Sequence, residues 1–492
     1  MTQSRAPASR LKPIIAPLAL ALLASACAVG PDYQRPDLKL TAAYQSPPAT
    51  TAATAPAPIE TWWDSFNDPV LVRVVERASA QNLDLEQARA RILQSRAVAR
   101  AAGAALAPRL DAAGAAARSS QSLLTPLGEI GSHVPGFPRD ADEVSLGLAA
   151  SWEIDLFGGL RRQRDAASAE AKAAEAQAVA VRISVAGDAA DAYLQVRAYQ
   201  GRLGVARHQE QIQRDLVDLL TRRTGEGVSP ERELHQAQAL LEAVRATIPP
   251  LQAGLDAELN RLDVLMGAQP GTYRAELLTP ADLPLTPSLS IADGPADLLR
   301  RRPDVLAAEQ RLIAANAQIG AAISDYYPKI SISGLLGVDS LDASRLFASQ
   351  ALEHQISGGL RWRLFDFGRV DAEVAQARGL KAEALAAYRS SVFKAAEDVE
   401  NAVSDLRQQQ AQAGALAREI DQLTLARDQA QQAYEGGVIS LVEVRDADRD
   451  LLNASDQLVQ ARAGAARAAV AAYRALGGGW TPQTPLRLAA VP

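Results

Sequence analysis

The chain has 492 residues, 22% of them charged and 4% aromatic, with a formal net charge of −6 and a single cysteine. An acidic balance without a basic patch excludes a nucleic-acid surface, and one cysteine excludes an intramolecular disulfide or thiolate cluster. So few aromatics argue against a compact enzyme core of this length, whereas abundant Ala, Gln, Arg and Leu favour long helices packed closely through small side chains.

Residues 1–26 carry Arg5, Arg10 and Lys12, then the apolar run Ile14 to Leu23, then small residues, the order of a secretory signal. The apolar run is too short to cross a bilayer as a helix. Leu23-Ala-Ser-Ala-Cys27 resembles a bacterial lipobox, which makes Cys27 the expected lipidation site. Residues 27–65 form the expected anchored arm, Pro-, Thr- and Ala-rich with no sustained period.

Asp68 and Pro69 predict a helix start, N-cap then first helical position, with the helix running to Ala107 before Pro108. Alternating stretches follow. Val144, Leu146, Leu148, Ala150, Trp152 and Ile154 share one strand face, as do Ile356, Gly358, Leu360, Trp362 and Leu364 further on. Partner strands leave the prolines, at Arg109 to Ser119 and at Lys329 to Val338, which gives two hairpins, at about 109–157 and 329–367. Each strand is long enough to cross a bilayer when tilted, and its apolar/polar alternation suits a lipid-facing barrel strand. Four strands leave two open edges, which lipid does not tolerate, so membrane strands require closure by further copies. On that geometry Glu153, Arg361 and Arg363 point to the face opposite the tryptophans, toward a water-filled lumen.

Proline-free stretches with heptad-like apolar spacing then run from Gly159 to Thr224 and from Arg369 to Glu435, each reading as a helix about 100 Å long. Each ends at a glycine turn, about 225–229 or 436–440, and a returning helix of nearly forty residues follows. The pairs read as antiparallel coiled coil, and the serines after the glycines as caps for the returning helices. The chain is one unit written twice. Trp152 aligns on Trp362 and Gly158 on Gly368 at an offset of 210, while Pro108 aligns on Pro328 at an offset of 220. Repeat 1 spans 66–291, repeat 2 spans 292–477, and 478–492 is a tail.

Cys27-Ala-Val-Gly-Pro-Asp-Tyr-Gln-Arg-Pro36, the Trp62-Trp63 to Pro69 motif, Leu298-Leu-Arg-Arg-Arg-Pro-Asp304, Tyr327-Pro328 and Leu476-Gly-Gly-Gly-Trp480, in this order around a tandem repeat, resemble the TolC-like outer-membrane efflux proteins, most closely the lipoprotein branch. The resemblance implies a mainly α homotrimer: an α-barrel of long antiparallel coiled-coil helices in the periplasm and a 12-stranded β-barrel in outer-membrane lipid. It implies a passive exit duct for small molecules, joined through a periplasmic adaptor to an inner-membrane transporter, most simply of the RND class. It also implies roles for particular residues. Glu443 and Asp446, with Tyr434 before the turn, fall at the periplasmic gate. Gly225, Gly227, Val228 and Ser229, with Gly436, Gly437, Val438, Ile439 and Ser440, fall at the adaptor-contact tips. Glu443 and Asp446 share a helix face at i, i+3, and three copies would ring the axis with six carboxylates attractive to cations. Arg445 beside them stands to neutralise part of that ring.

Two other readings use the same residues: an exit channel for a secreted protein, and a periplasm-spanning coiled-coil lipoprotein without a pore. The alternating strands speak against the second. The four histidines are scattered, Met266 is the only methionine after the first residue, and no phosphate loop with its lysine is present, so neither a metal site, a cofactor nor catalytic activity is expected.

Overall fold

The computed structural model describes residues 28–38, 41, 43–45, 59–289 and 301–481. Cys27 lies outside them. The chain divides into two compact units, one formed by 1–36, 94–172 and 310–386, the other by 37–93, 173–309 and 387–492.

The first unit holds a four-stranded antiparallel sheet in the order β1 (Arg109–Ser120), β2 (Asp140–Ile154), β3 (Lys329–Ser340), β4 (Leu352–Arg361). The hairpin registers repeat: Arg109 faces Ser151 as Lys329 faces Arg361, and Leu110 faces Ala150 as Ile330 faces Leu360. The hairpins join through β2 and β3, where Trp152 faces Ile332 and Ile154 faces Ile330. The same duplication fixes the strand bases. Trp152 Nε1 donates to the Leu106 carbonyl at 3.0 Å, and Trp362 Nε1 to the Tyr326 carbonyl at 2.9 Å.

Two features of this unit depart from the expected strands. The loop of the first hairpin contains a short helix, α3 (Pro126–Ser132), started by Thr125, whose Oγ1 accepts from Gly128 N. β4 ends at Arg361, so Trp362 to Leu364, expected to continue the strand, lie beyond it.

In the second unit a 3-10 turn, Ile59–Phe66, buries Trp62, Trp63 and Phe66, with Trp62 stacked on Tyr473 at 5.4 Å. Asp68 caps α1 (Pro69–Gln81): Oδ1 accepts from Val70 N (2.8 Å) and Leu71 N (3.2 Å), and Oδ2 from the Tyr193 hydroxyl (2.5 Å). Burial, then the bond to Asp68, holds the Tyr193 hydroxyl well above the ordinary phenol range, so it remains a donor. Asp68→Ala is expected to cost about 0.5–2 kcal/mol for the cap and about 1–3 kcal/mol more for the stranded hydroxyl. Thermal unfolding beside Tyr193→Phe checks it, because the second loss disappears in the double variant.

The helix expected to run unbroken to Ala107 is two helices, α1 and α2 (Leu83–Ala104). They break at Asn82, whose ψ of 131° is extended. Asn82 Oδ1 accepts from Asp84 N and Leu85 N while its Nδ2 donates to the Leu265 carbonyl, so one side chain caps α2 and ties it to the returning helix.

The two long helices are α4 (Gly159–Gly225) and α8 (Arg369–Glu435), 67 residues each, and the helices that return from them are α5 (Glu231–Leu265) and α9 (Leu441–Ala475), 35 residues each. Between the repeats lie α6 (Arg274–Leu277) and, entering the second hairpin, α7 (Pro303–Ser324). Within the second unit α4 and α9 are antiparallel, pinned by Arg467–Asp191 (2.6 Å) and Arg202–Asp456 (2.7 Å) and, near the turns, by Leu220 against Leu441. Small residues set the spacing. A Cβ on Gly187 would lie 2.2 Å from the Arg474 side chain, and α9 buries Ala461, Ala465, Ala468 and Ala472. α5 keeps Pro249 and Pro250 inside it without ending there, although each removes a helical donor; buried Val244, Leu251 and Leu255 hold both sides down.

Arg302, from the Arg-Pro-Asp motif, joins three helices. It donates to both Asp304 oxygens (2.9 and 2.7 Å), to Asp398 (2.8 Å) and to the last carbonyl of α9, Ala475 (3.1 Å). Gly477 and Gly478 close α9, and Trp480 Nε1 donates to the Arg301 carbonyl. Gly478 and Gly479 lie against the paired tryptophans, and Gly479 N donates to the Ile59 carbonyl.

Candidate functional site

The sheet has one apolar and one polar face. Leu110, Leu146, Leu148, Trp152, Ile332, Leu336, Ile356 and Leu360 share one side by register, and all stand exposed, Ile356 at 86%. A soluble hairpin packed on helices would bury that side. The other side presents Asp111, Glu153, Ser331, Ser333, Ser357 and Arg361. Glu153 and Arg361 thus occupy the polar face. Arg363 is no strand residue: it lies past β4 and makes long ion pairs with Asp325 (3.8 Å) and Glu373 (3.6 Å). Among the described residues β1 and β4 each have one neighbour, so both outer edges of the sheet are open.

Below the sheet, Phe157 stacks on Tyr327 at 4.5 Å, and Ala28 rests on Gly158. Val29 N donates to the Phe157 carbonyl. Arg162 donates to the carbonyls of Val29 (3.3 Å) and Gly30 (3.4 Å) and to Asp32 (2.9 Å), while Asn316 donates to the Pro31 carbonyl (2.8 Å). Gly30 (φ +96°) fits because a Cβ there would come within 2.4 Å of Gly320 Cα. The arm is therefore clamped from the residue after Cys27. Arg162→Ala is expected to weaken that docking by about 1.5–3 kcal/mol, read as faster amide exchange over 28–36.

The turns are built alike. Gly227 N donates to the Thr224 carbonyl and Val228 N to that of Arg223; Gly437 and Val438 repeat the pattern on Tyr434 and Ala433. Both Gly227 and Gly437 have φ of +73°, which completes two Schellman motifs. Gly225 and Gly436 stand just before these positions. Val228 (62%) and Val438 (79%) are left exposed at the apices. The serines differ. Ser440 caps α9 through a capping box with Glu443, whereas Ser229 precedes Pro230, the N-cap of α5, and makes no cap bond there; Ile439 is the residue before the working cap.

Glu443 Oε1 accepts from Ser440 N (3.4 Å) and contacts Ser440 Oγ (3.5 Å). One turn on, Asp446 lies 3.5 Å from both Arg445 and Arg449. Tyr434 packs at the edge of a cluster of Leu220, Ala237 and Leu441, which joins both long helices' ends to both returning helices. Deeper, Asp448, with 5% of its side chain exposed, is held by Arg427 at 2.9 Å. Sequence reasoning missed Arg449, Arg427 and Asp448. The i, i+3 spacing of Asp446 and Arg449 was readable, but the Arg427 pair spans a turn and needed the antiparallel register. Among the described residues there is no group of three or more His, Cys, Asp or Glu able to hold a metal ion, and no helix long and apolar enough to cross a membrane.

A family model described as outer membrane efflux protein matches residues 74–268 and 294–478. The chain is 32% identical to the pyoverdine export outer membrane protein OpmQ of Pseudomonas putida, over 96% of this chain and 98% of that one. It is 28% identical to nodulation protein T of Rhizobium leguminosarum bv. trifolii, over 94% and 96%. Among solved structures, the outer-membrane channel OprN superposes with a TM-score of 0.82 at 34% identity, covering 92% of this chain and 100% of that one.

Proposed function

Because this chain belongs to the outer membrane efflux protein family and is an outer-membrane efflux channel, we propose that it works as a homotrimer, the passive exit duct of a tripartite pump for small molecules. The observation that carries closure by further copies is the two-faced sheet with both edges open, and the family resemblance sets their number at three. An apolar face this exposed belongs in lipid, an open edge does not, and three copies of four strands close a 12-stranded barrel. Glu153 and Arg361 then line its water-filled interior.

In this reading Cys27 carries the lipid, and the clamped residues 28–32 hold the anchor beside the base of the sheet. Residues 1–26 are the signal and 27–65 the arm; repeats 1 and 2 occupy 66–291 and 292–477, and 478–492 is the tail. The two glycine turns, with Val228 and Val438 at their apices, meet a periplasmic adaptor, which links the duct to an inner-membrane transporter of the RND class. Glu443, Asp446 and Tyr434 form the periplasmic gate. Arg445 and Arg449 offset its acids, so the ring is zwitterionic rather than purely acidic. The pyoverdine-exporting relative supports small molecules as cargo. The test is single-channel conductance in planar bilayers of detergent-purified protein whose oligomer mass is measured in the same preparation. A trimer with small, gated openings is expected; a monomer without conductance would return the chain to a periplasmic spacer.

A further inference from the structure

Resting on the trimeric reading, we propose that β4 pairs with β1 of the partner subunit in one register, set by the repeat: Leu364 opposite the partner subunit's Leu110, Arg363 opposite the partner subunit's Asp111, and Trp362 opposite the partner subunit's Ala112. First strands of the two hairpins are related by an offset of 220 and second strands by 210, and the ladders within the hairpins obey this relation residue by residue. In a closed ring of hairpins, each junction between neighbours is of one kind. The junction seen within the chain pairs Trp152 with Ile332, Glu153 with Ser331 and Ile154 with Ile330. Carried by the same offsets, it becomes the junction between copies.

The short β4 supports this register. β1 reaches only to Ser151 on β2, and β3 alone holds Trp152, Glu153 and Ile154 in the strand. The equivalents of those three residues are Trp362, Arg363 and Leu364, just the stretch that β4 lacks. β4 is thus cut off where its remaining partner belongs to another copy.

Charge and shape agree. The register sets the Arg363 guanidinium across from a carboxylate on the polar face, both side chains being about half exposed now. It also sets exposed Leu364 against exposed Leu110 on the apolar face, and Trp362 over a small residue. A slip of one residue would turn Arg363 to lipid. A slip of two would face it with Arg109 in one direction and an alanine in the other.

Cysteine pairs in the full-length, detergent-purified protein test the register. Asp111→Cys with Arg363→Cys is expected, on oxidation, to shift the denatured protein from a one-chain to a three-chain band that reductant reverses. Asp111→Cys with Arg361→Cys, two residues out of register, is expected to stay at one chain, because its Cα atoms are too far apart. The wild type, with only Cys27, controls for other cross-links. As a second measurement, Asp111→Arg is expected to lower the temperature at which the trimer dissociates, and adding Arg363→Asp to restore it. A preparation of trimer mass in which the 111/361 pair cross-links, or in which the charge swap restores nothing, overturns the register while leaving the trimer standing. A wild type of monomer mass overturns both.

Discussion

Ile356→Arg is expected to remove the protein from the outer membrane, whereas Ser357→Arg, one residue along the same strand, leaves it there. Ile356 is the most exposed side chain within the strands' apolar face and sits mid-way along β4. An arginine on the lipid side of a barrel costs about 2–4 kcal/mol near the bilayer midplane. In the proposed trimer that cost would be borne three times, enough to cancel most of an ordinary folding free energy. Ser357 faces the other way, where water solvates a guanidinium and Arg361 already stands on the same strand. The check is the amount of heat-dissociable oligomer in outer-membrane fractions. Equal loss in both variants would mean that the sheet packs against protein on both sides.

Removing both acids at the start of α9, Glu443→Ala with Asp446→Ala, is expected to raise single-channel conductance severalfold and to turn ion preference away from cations. Each chain offers two acids and, within contact of Asp446, the two arginines Arg445 and Arg449. In the proposed trimer the arginines would remain without the acids, so that ring would change from balanced to basic, and the ion pairs of Asp446 with Arg445 and Arg449 would be lost. Glu443 has a second role as the partner of Ser440, so its alanine variant also frays the first turn, by about 0.5–2 kcal/mol. Glu443→Gln retains a capping side chain without the charge and separates the two effects. Unchanged conductance and selectivity in the double variant would show ordinary solvated acids on a helix face.

Much of this was legible in the chain. The period-two runs leading to the tryptophans marked β2 and β4, although β4 stops at Arg361, short of Trp362. The glycines at 227 and 437 gave the turns, since a reversal of this kind requires positive φ. What was not legible depends on neighbours. The break at Asn82 has a local signature, a capping residue followed by Asp84 and Glu86, but strong helix formers on both sides mask it. Pro249 and Pro250 argue locally against a continuous α5, and packing on either side prevails over that preference. At the proposed gate the acids were visible, but the arginine on Asp448 was not, because it arrives from the preceding helix.

The ladder between β2 and β3 has a consequence for the order in which the chain folds. Each hairpin closes over a short loop, but Ile154 meets Ile330 only after about 175 residues have been looped out, a closure that costs about 2 kcal/mol more than a twenty-residue turn. The first hairpin therefore leaves the export machinery long before the second exists, its apolar side exposed and both edges unpaired. The nascent chain is then a natural client for periplasmic holdases.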